Sequence, residues 1–66
     1  PSCAADLIAG SPDDHRRLFR LIQETHELCR LEFTQLILEP GAQWIHISYV
    51  PGNLRCQVID KEKSPN

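Results

Sequence analysis

The residues of this chain whose types can do chemistry are His15, His26 and His46, Cys3, Cys29 and Cys56, and an aspartate, Asp6, set in an apolar run. A divalent metal is held by the lone pairs of neutral imidazole, carboxylate or thiolate. A catalytic zinc takes three such protein ligands and leaves a fourth position to water. His26-x-x-Cys29 is the one close pair, and a three-residue step on a helix puts its members on neighbouring sides. Cys29 also falls in an apolar stripe, where a cysteine behaves as a small hydrophobe. His26 and His15 read as exposed helix residues. No cysteine stands in an evident electropositive setting, which argues against thiolate nucleophilic chemistry.

That leaves Asp6 and His46. In "QWIHISYV" the alternation places Trp44, His46 and Ser48 on one strand face and Ile45, Ile47 and Tyr49 on the other. A strand so apolar does not need a histidine. Asp6 likewise interrupts "AADLI", and an acid there needs a partner or an exposed strand end.

The elements that must position these residues follow from local signals. Ser11 can cap a helix, Pro12 suits its first position, and Asp13 and Asp14 complement its dipole. Leu18, Leu21, Ile22, Thr25, Leu28 and Cys29 then recur at three- and four-residue steps, predicting an amphipathic helix of about five turns that ends near Arg30. Ala4 to Ile8 reads as a strand closed at Gly10. Phe33 to Glu39, Gln43 to Val50 and Leu54 to Asp60 read as three more, separated by Pro40-Gly41 and Pro51-Gly52-Asn53. Consecutive runs pair most simply as antiparallel hairpins. The expected fold is α+β: strand, helix and three-stranded meander, one amphipathic helix packed on a small antiparallel sheet. Residues 1-60 form a single small domain, and Lys61 to Asn66 a flexible tail.

The totals narrow the function. A chain of 66 residues buries only about 60% of its unfolded surface, so the core is thin. The net charge of -2 is interspersed, with no basic stripe, which argues against nucleic acid. No apolar run approaches the roughly 20 residues of a membrane span. An odd number of cysteines without a Cys-x-x-Cys pair argues against a disulfide framework and a zinc ribbon. No signal peptide is visible, and the opening at Pro1 without methionine points to a processed chain or a fragment.

Three segments in order, "AADLI", "LEFTQLILE" and "WIHISYV", resemble the zinc D-alanyl-D-alanine carboxypeptidase and endolysin family that cleaves peptidoglycan stem peptides, particularly its phage-associated branch. They are similar to the end of its Ser-x-His-x-x-Gly-x-Ala-x-Asp motif, to its Phe-Asp-Gln-Leu-Ile-x-Glu segment and to its Trp-Val-His-Val-Ser-Tyr segment. The resemblance covers about residues 2 to 58. It implies a hedgehog/DD-peptidase-like fold, a bacterial or phage origin, a stem-peptide substrate and zinc as cofactor. Asp6 would then be the carboxylate ligand and His46 the second histidine ligand.

Family members often carry the general base three residues before the last histidine, where this chain has Gln43. Glu39 is the alternative candidate, its plain reading being a solvated acid beside the Pro40-Gly41 turn. Trp44 would wall the cleft, and Ser48 and Tyr49 would support it. The family's leading histidine falls before Pro1, Ser2 stands where the motif has glycine, and Cys3 fills the variable position after it. The zinc site is therefore incomplete unless Cys3 or another chain supplies a ligand.

Three functions are compatible with these residues. The first is a truncated or degenerate zinc metallopeptidase-like domain with little activity alone. The second is a non-catalytic binding or dimerisation module on the same fold, a homodimer forming through a sheet edge. The third is an active zinc-dependent peptidase completed by a cysteine or a neighbouring chain.

Overall fold

The computed structural model describes residues 2-63, and the expected tail beyond Lys63 lies outside them. Its elements are β1 (Cys3–Leu7), α1 (Pro12–Cys29), β2 (Gln35–Leu38), a 3-10 turn (Pro40–Ala42), β3 (Ile45–Tyr49) and β4 (Gln57–Asp60). The class is α+β, one helix packed on a four-stranded mixed sheet.

The helix begins as its sequence signals require. The Asp14 N–H donates to the Ser11 hydroxyl at 3.2 Å, and Pro12 and two acids fill the first turn. It ends at Arg30, in the left-handed region at φ 56°, whose N–H closes on the His26 carbonyl at 2.9 Å. The buried stripe differs from the expected one. His15, Phe19 and Ile22 face the core, whereas Leu21 and Leu28 are 56% and 84% exposed and Cys29 is exposed. The apolar positions 18, 19, 21, 22, 25, 28 and 29 span a wider arc than one small sheet can cover. The seat goes to Phe19, with Leu18 at its margin.

The sheet order is β1-β3-β2-β4. β3 pairs antiparallel with both β1 and β2, but β4 runs parallel to β2 rather than forming a hairpin with β3. The expected meander is corrected there for a topological reason. β1 occupies the edge of β3 that a hairpin would need, so β4, returning antiparallel to β3, takes the free edge of β2. Thr34 pins the crossover: its hydroxyl donates to the Asn53 carbonyl and accepts the Val50 N–H, both at 2.8 Å.

One sheet face carries Leu36, Leu38 and Ile45, which with Phe19, Ile22, Phe33 and Ala42 form the core. Each such large side chain contributes about 1.5–3 kcal/mol on burial. The strand alternation sends Asp6, His46, Ile37 and Ile59 to the other face, which no helix among the described residues covers. The 3-10 turn carries Gly41 at φ 69°, a conformation that suits glycine. Lys61 and Glu62, expected in the frayed tail, are tied down. The Lys61 N–H reaches the Leu38 carbonyl at 3.0 Å, and Arg16 grips both Glu62 oxygens at 2.9 and 2.8 Å.

Candidate metal centre

Asp6 and His46 are direct partners in the β1–β3 register. The Glu39 N–H donates to the Trp44 carbonyl, so the backbone groups of Trp44, His46 and Ser48 point to β2 and those of Ile45, Ile47 and Tyr49 point to β1. Asp6 and His46 are thus a non-hydrogen-bonded cross-strand pair, the kind whose side chains approach most closely. Their side chains meet, His46 Nδ1 donating to Asp6 Oδ1 at 3.0 Å. In the other neutral tautomer the proton sits on Nε2 and the Nδ1 lone pair faces the Asp6 carboxylate, so the two atoms that meet are both potential ligand atoms. The pair lies in a shallow open cleft of about 160 Å³ with Ala4 and Ala5, and the two side chains are 32% (His46) and 59% (Asp6) exposed.

The donors fit two positions of a zinc shell. Bonds of about 2.0–2.1 Å at the tetrahedral angle set neighbouring ligand atoms roughly 3.3 Å apart. The observed 3.0 Å between His46 Nδ1 and Asp6 Oδ1 is close to that edge, with an ion taking the place of the hydrogen-bond proton. No group of three or more His, Cys, Asp or Glu side chains able to hold a metal occurs among the described residues. Cys3, three residues before Asp6, falls on the opposite sheet face by alternation and pairs with Tyr49.

Glu39 follows Ile37 by two residues, which puts it on the face of Asp6 and His46, one strand further across. It is not a solvated acid. Its side chain is 13% exposed and accepts a hydrogen bond from Lys61 Nζ at 3.2 Å, rather than meeting the Asp6–His46 pair. Trp44, 37% exposed, and Ser48 share that face by alternation while Tyr49 takes the other, and none of the three lines the cleft.

The remaining histidines are structural. His15, expected to be solvated, is 3% exposed. Its Nδ1–H donates to the Ala42 carbonyl at 2.6 Å, and its Nε2 accepts the Ala9 N–H at 2.7 Å. Both contacts are satisfied together by one neutral tautomer. One ring thereby ties the β1–α1 loop, the helix and the 3-10 turn. The signal for this is the spacing of His15, Phe19 and Ile22, a helical i, i+4, i+7 series with a histidine at its head. His26 half-buries, with Nδ1–H on the Leu31 carbonyl at 2.6 Å and its ring edge-on to Phe33. Cys56 is half-buried, its thiol 3.8 Å from the Leu54 carbonyl. Neither partner of His26-x-x-Cys29 is arranged as a ligand pair.

Electrostatic perturbation lies away from the cleft. The Arg16 guanidinium hydrogen-bonded to Glu62 holds that carboxyl below the usual range, and Arg17, then Ser11, do the same for Asp14.

Comparison with protein-family models, with curated proteins and with solved structures finds no match. No helix among the described residues is long and apolar enough to cross a membrane.

Proposed function

We propose that this chain is a truncated or degenerate zinc metallopeptidase-like domain, related to the peptidoglycan carboxypeptidases and endolysins, with Asp6 and His46 as two ligands of an incomplete metal site. The observation that carries the reading is the Asp6–His46 contact at 3.0 Å. The two residues singled out by their motifs, forty positions apart in sequence, meet side by side on an uncovered sheet face.

Bound zinc would supply Lewis-acid polarisation of an amide carbonyl and acidify a water molecule. The chain's own residues have narrower tasks. Asp6 and His46 Nδ1 would together hold the ion, and without it their hydrogen bond fixes the ring. Glu39, the candidate base toward a stem-peptide amide, is held by Lys61 and acts only when that ion pair opens. With two ligands instead of three, metal affinity falls well below that of a complete site, and hydrolysis by the isolated chain is negligible.

Calorimetric titration with zinc, thiols reduced, tests this on the intact chain, His46→Ala and Asp6→Asn. One weak site on the intact chain, diminished in both variants and without turnover of a peptide ending in D-alanyl-D-alanine, is the expected result. Equal binding by all three proteins would refute the site. A second reading, a non-catalytic dimerisation module, is favoured by the uncovered edge of β1.

A further inference from the structure

β1 is an edge strand whose outer side nothing among the described residues covers, and Cys3 to Asp6 are all exposed. The β3 alternation established above directs the backbone groups of Cys3, Ala5 and Leu7 toward β3. Those of Ala4 and Asp6 therefore point outward, unpaired in the sheet. An edge of this kind is a template for another strand unless lysine, proline or a bulge blunts it. "CAADL" has none of the first two, its register with β3 runs unbroken, and its one charge is drawn sideways by His46. The opposite edge, β4, is guarded by contrast, with Arg55, Asp60, Lys61, Glu62 and Lys63 in and around it.

We propose that β1 pairs with β1 of a second copy of this chain, antiparallel about a two-fold axis at Ala5. The outward groups choose the register. With Ala5 opposite Ala5, Ala4 of each copy faces Asp6 of the other, and both residues carry the free donors and acceptors. Every outward group between positions 4 and 6 is then satisfied. The axis falls on a non-hydrogen-bonded pair, where Cα atoms approach to about 4.5 Å and alanine side chains fit. Sliding by one outward pair in one direction sets Asp6 directly against Asp6, a like-charge contact. Sliding the other way pairs Asp6 with Ser2 and takes Leu7 out of the pairing. The proposal rests on backbone geometry and stands whether or not Asp6 and His46 bind metal.

The test combines sedimentation equilibrium with disulfide trapping. The intact chain is expected to show concentration-dependent dimer. Ala4→Pro removes an outward N–H without touching the β3 ladder, so the dimer is lost while circular dichroism stays native. Ala5→Lys, at an exposed position, sets two lysines against each other on the axis and also abolishes it, an effect relieved by salt. In a Cys3→Ser, Cys29→Ser background, Ala5→Cys lies within disulfide reach across the axis and Val58→Cys on β4 does not. The first is expected to cross-link roughly tenfold faster, because pairing raises the effective thiol concentration. A strictly monomeric intact chain up to about millimolar concentration, where a contact worth about 4 kcal/mol would already be half-formed, would overturn the proposal, as would equal trapping at positions 5 and 58.

Discussion

Replacing His15 by alanine removes a ring that joins three segments, and the structure sets the size of the effect. The Ala42 carbonyl, on a residue with no exposed surface, loses its donor. A buried polar group left without a partner costs about 1–3 kcal/mol. The Ala9 N–H is on an exposed residue and recovers water, so its loss is at the low end, about 0.5–1 kcal/mol. Together these come to roughly 1.5–4 kcal/mol, a large share of the stability expected of a domain this small, about 0.05–0.15 kcal/mol per residue. His15→Asn separates the two contacts. Its side-chain amide nitrogen can replace Nδ1 as donor to Ala42, while the reach to Ala9 is lost, so it should cost about 1 kcal/mol. Urea unfolding followed by Trp44 fluorescence reads both, and the slope should stay constant if only stability changes. Equal destabilisation by Ala and Asn would refute the conclusion that the hydrogen bond to Ala42 stabilises the fold more than the one from Ala9.

Three further outcomes follow from the same geometry. Leu28→Gln should leave unfolding within about 0.5 kcal/mol of the parent, whereas Phe19→Ala should cost about 3–5 kcal/mol in the same urea experiment, because only Phe19 occupies the helix seat. The Arg16-held Glu62 carboxyl is lowered in the folded state, so its contribution is present above the unfolded glutamate pKa of about 4.3 and is lost as pH falls through the folded value. Glu62→Gln should therefore flatten the loss of stability between about pH 5 and 3 in acid titrations followed by circular dichroism. Ala4→His adds an imidazole two residues from Asp6 on the same face, lining the same cleft, and should tighten zinc binding about tenfold or more by calorimetry.

Much of the fold is legible in the sequence because its signals are local. Ser11 and Pro12 start the helix, Arg30 closes it, and Pro40-Gly41 turns the chain where β2 ends, each through backbone chemistry written within a few residues. What local signals do not carry is competition between segments. Whether β4 joins β3 or β2 depends on β1 having taken the other edge of β3, a fact about a strand some fifty residues earlier. The helix stripe departs from its expected position for a similar reason. Leu21 and Leu28 are as apolar as Phe19, and only the narrow width of the sheet beneath decides which is covered.

The candidate site divides the same way. Alternation puts His46 on a definite face, the motif order singles out Asp6 as its partner, and the two do meet. That Glu39 is engaged by Lys61 cannot be read from sequence, since Lys61 belongs to a segment expected to fray. His15 reads as solvated when its place in the first turn is given more weight than its spacing to Phe19 and Ile22, and it is the spacing that decides its burial.

The most direct test of the Asp6–His46 centre is nitrogen-15 NMR of the three imidazole rings during a zinc titration at neutral pH, with thiols reduced. His15 and His26 have ring nitrogens committed to backbone groups, whereas the His46 ring bonds only the Asp6 carboxylate among the described residues. The expected result is a zinc-dependent shift confined to the His46 ring and abolished by Asp6→Asn. Movement of the His26 ring with Cys29, or no ring moving at all while the fold persists, would contradict it.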